Sequence, residues 1–215
     1  MKINPNQNIN NNDVLMNTIK NTPETASKMN TIFTKSEAEK PEDVLQTWVI
    51  LENNKITPKG STNPEHLKNA PSPEIEIAGE KKFAAIVVDT EHNLLYKYND
   101  EGEAEIVYSV ATGKKTSPTK KGIKMITNVE TYPYKTAYGT KRKRNPNAYG
   151  PNVIIIENIN PETGKIYGNN GQFIHGNNNE KSLGEYASLG CVRMDNEVIK
   201  KLAKEVVKKT YVLVK

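Results

Sequence analysis

The chain has 215 residues with a formal net charge of +5 and a pI near 9.0, and 35% of its residues are hydrophobic. This length suits one sizeable domain plus an extension, while the low hydrophobic content indicates that part of the chain is solvated or disordered. No apolar run approaches the roughly 18–20 residues needed to span a bilayer, and a single cysteine excludes an internal disulfide.

The first 80 residues are predicted to form an extension and a linker. Residues 1–30 are rich in Asn, Lys and Thr with little periodicity, which is typical of a spacer or a loosely docked arm. A helix is predicted from Pro41 to Asn53, because proline and acidic residues suit a first helical turn and apolar residues follow at partly helical spacing. Residues 57–80 contain four prolines and few aliphatic residues, which favours a linker or an extended strap.

From residue 81 to residue 215, short strand patterns alternate with turn signals, which indicates a separate, mainly β domain. Residues 83–89 and 94–98 predict a hairpin, because two apolar runs flank a polar turn. Further strands are predicted at 104–111, 123–126, 152–157, 171–175 and 210–214. Asp195 is a good N-cap, and apolar residues then recur at helical spacing up to Val206, so one late helix is predicted. These elements predict a sandwich or barrel-like fold.

Residues 130–149 form a long stretch that is rich in tyrosine and carries the basic run 141–144. A loop of this length inside a compact domain is usually functional. Basic and aromatic residues together suit a carboxylate-bearing peptide and its sugars, and they also suit single-stranded nucleic acid. For 141–144, a solvated loop that carries a run of charged residues is the alternative. Tyr149 and Gly150 are expected to face a cleft.

The stretch 173–194 contains the sole cysteine, Cys191, and one of three histidines, His175. Such a pair is a candidate thiol nucleophile with its base. Gly190 allows the backbone to approach a substrate carbonyl and to direct N–H groups at a developing oxyanion. Arg193 can lower the pKa of a nearby thiol or hold a substrate carboxylate. A buried, inert thiol is the alternative for Cys191, and its polar, glycine-rich surroundings argue against that alternative.

Two motifs in this stretch resemble the signature of the L,D-transpeptidase catalytic domain, the YkuD-type fold. They are His175-Gly176 and the run Ser-Leu-Gly-Cys-Val-Arg-Met at 188–194. The upstream segment 111–122 is similar to the family's Thr-Gly-Lys and Pro-Thr-Pro-x-Gly region, which frames the substrate cleft. Here Lys120 replaces the second proline, which loosens that turn and leaves Gly122 in place.

The resemblance implies a cysteine acyltransferase that acts on peptidoglycan. Cys191 would attack the carbonyl of the third residue of a stem tetrapeptide, release the terminal D-alanine, and pass the acyl group to an amine of a second stem, giving a 3→3 cross-link. Water as acceptor would make the same site an L,D-carboxypeptidase, and a non-catalytic wall-binding module is a further alternative. Stem peptides rather than nucleic acid are the expected partner, carbapenems are expected to acylate the thiol, and no cofactor or metal is expected.

The resemblance also assigns roles to individual residues. Cys191, His175 and Gly176 are the predicted catalytic set, in which the Gly176 carbonyl orients the imidazole; Asn177 or Asn179 could serve instead. The N–H groups of Gly190 and Cys191 are expected to form the oxyanion hole. The predicted substrate-binding residues are Ser188, Gly190, Arg193, Asn177 and Tyr149. A turn-forming role for Ser188 and a structural ion pair for Arg193 are the alternatives.

Relatives of this kind work outside the cytoplasmic membrane in wall organisation and cell shape, so an extracytoplasmic location near the wall or a membrane surface is expected. The sequence Met-Lys-Ile-Asn-Pro at 1–5 lacks the apolar segment of a secretory signal. A leader or anchor missing from this sequence is the preferred explanation, with another export route as the alternative. The sequence does not predict the oligomeric state.

Overall fold

The computed structural model describes residues 55–134, 148–168 and 172–215. The elements are α1 (Pro64–Leu67), β1 (Glu74–Ile77), β2 (Glu80–Phe83), β3 (Ile86–Asp89), β4 (Leu94–Tyr98), β5 (Ala104–Ser109), β6 (Thr112–Gly113), β7 (Gly122–Thr131), β8 (Asn152–Asn158), β9 (Phe173–His175), a 3₁₀ turn (Glu180–Ser182), β10 (Tyr186–Ser188), β11 (Val192–Arg193), α2 (Asn196–Glu205) and β12 (Tyr211–Val214). The predicted N-terminal arm, the helix at 41–53 and the basic run 141–144 lie outside the described residues.

One eight-stranded sheet forms the frame of the structure, in the order β11-β9-β8-β7-β12-β3-β4-β5. β12 lies in its middle, parallel to β3 and antiparallel to β7. Two small sheets accompany it, the antiparallel pair β1-β2 and the parallel pair β10-β6. The mainly β prediction is therefore confirmed, and the predicted strand at 123–126 is part of a longer one, β7.

The two faces of this sheet bury different side chains because residues alternate along a strand. On one face, the aliphatic residues Ile126, Ile154, Ile174 and Val192 pack with the inner stripe of α2 to form the largest core cluster. On the opposite face of β8 and β9 lies a smaller cluster, which consists of Tyr134, Val153, Ile155 and Phe173. Full burial of such a side chain contributes roughly 1.5–3 kcal/mol, so the larger cluster dominates stability.

The late helix α2 forms as predicted. The Asp195 carboxylate accepts hydrogen bonds from the N–H groups of Glu197, at 2.9 Å, and Val198, at 3.1 Å. These bonds satisfy two of the N–H groups that a helix start leaves without an intrahelical partner. The buried stripe of α2 consists of Val198, Ile199 and Leu202. The helix therefore fixes the chain that follows residue 194 against the sheet.

The segment 57–80, predicted to be a linker or strap, contains both irregular chain and regular structure. Ser61 forms a β-bridge to Val107, so part of the segment does lie along β5. In β1, however, Ile75 and Ile77 are buried while the intervening glutamate is exposed. This period-two pattern gives the strand an apolar side to pack on Val87 and Tyr96.

The hairpin β1-β2 spans residues 74–83 and so crosses the predicted domain boundary at residue 80. The division into an extension at 1–80 and a catalytic domain at 81–215 stays a prediction. In the described parts of the chain, no helix has the length and apolar character needed to span a bilayer.

Candidate active site

Cys191 and His175 lie on neighbouring strands of the sheet. β9 and β11 run parallel, with Val192 opposite Ile174 and Arg193 opposite His175. Cys191 directly precedes β11, which puts it diagonally across from His175. Diagonal partners on adjacent strands have Cα atoms about 7–8 Å apart, within reach of a long or aromatic side chain.

The two side chains also share one face of the sheet. Val192 and Ile174 point into the large core, so their chain neighbours Cys191 and His175 point to the opposite side. There Cys191 packs on the small cluster that contains Val153 and Phe173. Cys191 is only half-buried as a residue, so it does not lie fully inside an apolar core.

The His175 imidazole is buried and its Nδ1 atom lies 2.6 Å from the Gly176 carbonyl oxygen. A carbonyl oxygen can only accept a hydrogen bond, so Nδ1 carries the proton. In the neutral ring the lone pair that can accept a proton then lies on the other nitrogen, Nε2. The Gly176 carbonyl, one of the three candidates for orienting the imidazole, thus lies at hydrogen-bond distance from Nδ1.

Tyr149 forms one wall beside the imidazole. Its ring lies 4.6 Å from the His175 ring, centroid to centroid, at an interplanar angle of 68°. It also makes edge contacts with Phe173 and with Tyr134, whose hydroxyl donates to the Gly150 carbonyl. Burial, followed by neighbouring tyrosines, raises the pKa of Tyr134 to about 12, so this hydroxyl remains a neutral donor at physiological pH.

Ser188 holds the turn that leads to the cysteine. Its side chain is fully buried, its Oγ accepts from the Gly190 N–H at 3.0 Å, and it donates to the Cys191 carbonyl at 2.6 Å. Gly190 has a φ of +112°, a conformation that favours glycine. Ser188 therefore has the turn-forming role that was its alternative. One of the two expected oxyanion donors, the Gly190 N–H, is already used inside the protein.

Arg193 lies on the same face as His175, directly opposite it in the register. Its backbone exchanges two hydrogen bonds with Ala111, at 2.8 and 2.9 Å, which anchors β11 to the segment before β6. Within the described residues, no carboxylate lies within 4.0 Å of the guanidinium. Among the described residues, Arg193 therefore has no partner for the structural ion pair that was its alternative role.

Asn177, predicted to bind substrate or orient the histidine, is buried and uses its side chain within its own loop. Its Oδ1 accepts from the Asn179 N–H at 3.0 Å, and its Nδ2 donates to the Asn179 carbonyl and to Ser182 Oγ, the latter at 3.4 Å. These contacts shape the loop 177–182. The Asn177 side chain is therefore directed to the loop rather than to the imidazole.

The sequence did not indicate Asn196, the first residue of α2. Its Oδ1 accepts from the Asn177 N–H at 2.8 Å, and its Nδ2 donates to the Asn177 carbonyl at 2.9 Å. The only available sequence signal was a polar residue directly after a good N-cap, which is common on ordinary helices.

Gln172, which directly precedes β9, was likewise not indicated. It is buried beside Gly190, and its Oε1 has no hydrogen-bond partner among the described residues.

In the parts of the chain that the structure describes, no group of three or more His, Cys, Asp or Glu side chains is arranged to hold a metal ion.

Comparison with known proteins gives a consistent result. Residues 84–214 match the family model of the L,D-transpeptidase catalytic domain, YkuD. A Bacillus subtilis (strain 168) protein named putative L,D-transpeptidase YqjB is 33% identical over 114 residues, which are 53% of this chain and 61% of that protein. The chain thus spans less than two thirds of that relative.

Solved structures with a similar arrangement include the catalytic domain of the E. faecium L,D-transpeptidase, determined by NMR. It is 23% identical, with a TM-score of 0.42, over 62% of this chain and 98% of that one. An L,D-transpeptidase from Stackebrandtia nassauensis is 20% identical, with a TM-score of 0.48, over 70% of this chain and 63% of that one.

Proposed function

Because the chain belongs to the L,D-transpeptidase catalytic domain family, we propose that it forms 3→3 cross-links in peptidoglycan by cysteine acyl transfer. The observation that carries this proposal is the pairing of a half-buried cysteine with an imidazole of fixed tautomer on one sheet face. Cys191 is the nucleophile, His175 the base, and the Gly176 carbonyl the group that orients the imidazole.

The first half-reaction acylates the sulfur. A free thiol has a pKa of about 8.5, so at neutral pH few thiols are ionised without a nearby base. His175 Nε2 takes the thiol proton, and Sγ attacks the carbonyl carbon of the third residue of a stem tetrapeptide. As the tetrahedral intermediate collapses, the imidazolium returns the proton to the leaving amine. D-Alanine departs, and a thioester to Cys191 remains.

The second half-reaction transfers the acyl group. The side-chain amine of a second stem loses a proton to Nε2 and attacks the thioester carbon, which forms the new amide and releases the thiolate. That thiolate recovers the proton from the imidazolium. In both halves the Cys191 N–H is the proposed oxyanion donor, because Ser188 Oγ accepts the Gly190 N–H.

Two side chains on the same face are assigned to the substrate. The Arg193 guanidinium, without a carboxylate partner among the described residues, binds a carboxylate of the stem through paired hydrogen bonds. The Tyr149 ring, which contacts the imidazole, forms an apolar wall for the stem backbone. Such a substrate places the enzyme outside the cytoplasmic membrane, close to the wall.

A disaccharide-tetrapeptide tests the proposal, with products read by mass spectrometry. A cross-linked dimer that has lost D-alanine is the expected product. A disaccharide-tripeptide alone would identify an L,D-carboxypeptidase. Absence of both products, together with absence of a covalent carbapenem adduct, would favour a non-catalytic wall-binding module.

A further inference from the structure

We propose that Asn196 is a positioning residue for His175 and acts through a single peptide group. The inference rests on the proposed function, because it concerns the base of that reaction. The peptide group in question joins Gly176 to Asn177, and it lies directly after β9. Each of its two polar atoms is hydrogen-bonded to a different side chain of the site.

The carbonyl end of this peptide faces the imidazole. The Gly176 oxygen lies 2.6 Å from His175 Nδ1 and accepts its proton. The N–H end, which belongs to Asn177, donates to Asn196 Oδ1 at 2.8 Å. A peptide group is planar, so fixing the direction of its N–H also fixes the direction of its carbonyl. Asn196 thereby sets the direction from which the imidazole is held.

Asn196 makes a second hydrogen bond to Asn177, and the two bonds together are called the Asn196 clamp. Asn196 Nδ2 donates to the Asn177 carbonyl at 2.9 Å, so the amide holds both polar backbone atoms of Asn177. Chained hydrogen bonds also polarise one another, by roughly 10–30% per bond. An N–H donated to Asn196 therefore makes the Gly176 carbonyl a better acceptor, which favours a protonated Nδ1 and the imidazolium formed during catalysis.

The Asn196 amide has room because two neighbouring residues, Gly150 and Gly176, carry no side chain. A Cβ atom added to Gly150 would lie 2.3 Å from Asn196 Oδ1, and one added to Gly176 would lie 2.4 Å from it. Real Cβ atoms do not approach an oxygen so closely, so a side chain at either position would displace the amide. Gly150 also has a φ of +66°, which itself favours glycine.

The helix start holds Asn196 in turn. Asp195 caps α2 through the N–H groups of Glu197 and Val198, so Asn196 is not needed as the cap. Lys59 Nζ reaches the same carboxylate, with a distance of 2.7 Å to Oδ2. Because the cap is a separate residue, replacement of Asn196 tests the clamp without removing the helix start.

The test compares Asn196→Ala, Asn196→Asp and the control Glu197→Ala, whose side chain is exposed and pairs only with Lys200 among the described residues. The readouts are the pH dependence of Cys191 alkylation by iodoacetamide and the rate of carbapenem acylation. Without the clamp, the imidazolium is less well stabilised, so the thiol should ionise at higher pH.

We expect Asn196→Ala to shift the alkylation midpoint upward and to slow acylation at least tenfold at neutral pH. Asn196→Asp retains an acceptor for the Asn177 N–H and should recover part of both effects, while Glu197→Ala should stay within twofold of the parent. A folded Asn196→Ala protein with the parent midpoint and rate would overturn the inference.

A second variant and a comparison of the two readouts decide the role of Asn196 in the cases that remain. If Asn196→Ala does not fold, Asn196→Gln keeps an amide but moves it by one methylene group and should produce an upward shift in the same direction; an unchanged midpoint contradicts the inference. Alkylation reports on the thiol and imidazole even if no substrate is accepted. An unreactive parent protein toward tetrapeptide and carbapenem would therefore refute the proposed function, while the alkylation profiles would still decide the role of Asn196.

Discussion

The segment after His175 and the segment before Cys191 are built in different ways. A network of asparagine and serine side chains holds the loop 176–182, with Asn177 and Ser182 both buried. In the turn at 188–191, the Ser188 side chain makes two hydrogen bonds to the backbone, and next to it Leu189 is 80% exposed. Satisfied buried polar networks rigidify a structure, whereas exposed turns are less constrained.

This contrast assigns the two segments different tasks. A general base needs a lone pair with a fixed direction. In keeping with such a role for His175, several hydrogen bonds hold the loop 176–182 that follows it. In the proposed reaction the sulfur bonds to substrate and later releases it, and in its segment Leu189 is largely exposed. Variants of the two segments should therefore fail in different ways: loss of the nucleophile or base removes chemistry, and loss of a holding residue lowers rate or stability.

The largest effect is expected for Cys191→Ala, which removes the only sulfur that can form a thioester. Acyl transfer should fall by at least about a thousandfold, since removing a nucleophile eliminates its whole pathway. Mass spectrometry of the protein after carbapenem treatment should show no adduct, with an unchanged melting temperature as the control for folding. Cross-linked product from this variant would mean that the nucleophile is misassigned.

His175→Gln probes the other segment while retaining a polar side chain of similar length. Acylation should fall by about 10²–10⁴-fold, the range typical of a general base. The variant thiol should also alkylate with a midpoint close to that of an ordinary thiol, because no imidazole assists its ionisation. A parent-like pH profile in this variant would separate His175 from Cys191 and remove the contrast between the segments.

Ser188→Ala should have an intermediate effect. It leaves the Gly190 N–H and the Cys191 carbonyl without their present partner, which costs about 1–3 kcal/mol for a buried group. We expect a lower melting temperature together with slower acylation. Leu189→Ala, one residue away and largely exposed, is the matched control and should leave stability within about 0.5 kcal/mol. Equal losses in both variants would show that the turn does not depend on Ser188.

The smallest effect concerns the helix start behind the histidine segment. Burial would raise the pKa of the Asp195 carboxyl, but hydrogen bonds from Lys59 and the α2 backbone outweigh it and bring the pKa below its ordinary value. Such a group stabilises the fold above the pKa it has in the unfolded chain, and that stability is lost as pH falls through the lowered pKa. Urea unfolding at pH 7 and at pH 3 measures this loss.

Asp195→Asn retains a good N-cap and removes the charge. Its stability should therefore change less between pH 7 and pH 3 than that of the parent protein. An identical pH dependence in both proteins would show that the Lys59–Asp195 pair contributes nothing measurable.

Sequence reasoning predicted the fold, and it singled out two residues, Cys191 and His175, that the structure places at neighbouring strands. The motif around Cys191 and His175 has fixed offsets, and the capped apolar stripe of α2 is a strong periodic signal. The strand β1 was not predicted because flanking prolines obscured the short alternation around Ile75 and Ile77.

The supporting contacts of the site could not be read from the sequence in the same way. Whether Ser188 faces substrate or closes a turn depends on where its hydroxyl points, and no pattern encodes that direction. Asn196 reaches a backbone group nineteen positions earlier in the sequence, at Asn177. Contacts of this kind arise from the packing of α2 on the sheet rather than from local propensity.

The central position of β12 has a consequence for how the protein is made. This strand joins β7 to β3, yet it comes later in the sequence than every other strand of the sheet. A nascent chain that has emerged only as far as α2 therefore exposes two partial sheets with unsatisfied inner edges. Assembly of the sheet awaits translation of residues 211–214, and a ribosome stalled before them would present an aggregation-prone intermediate to the cell's chaperones.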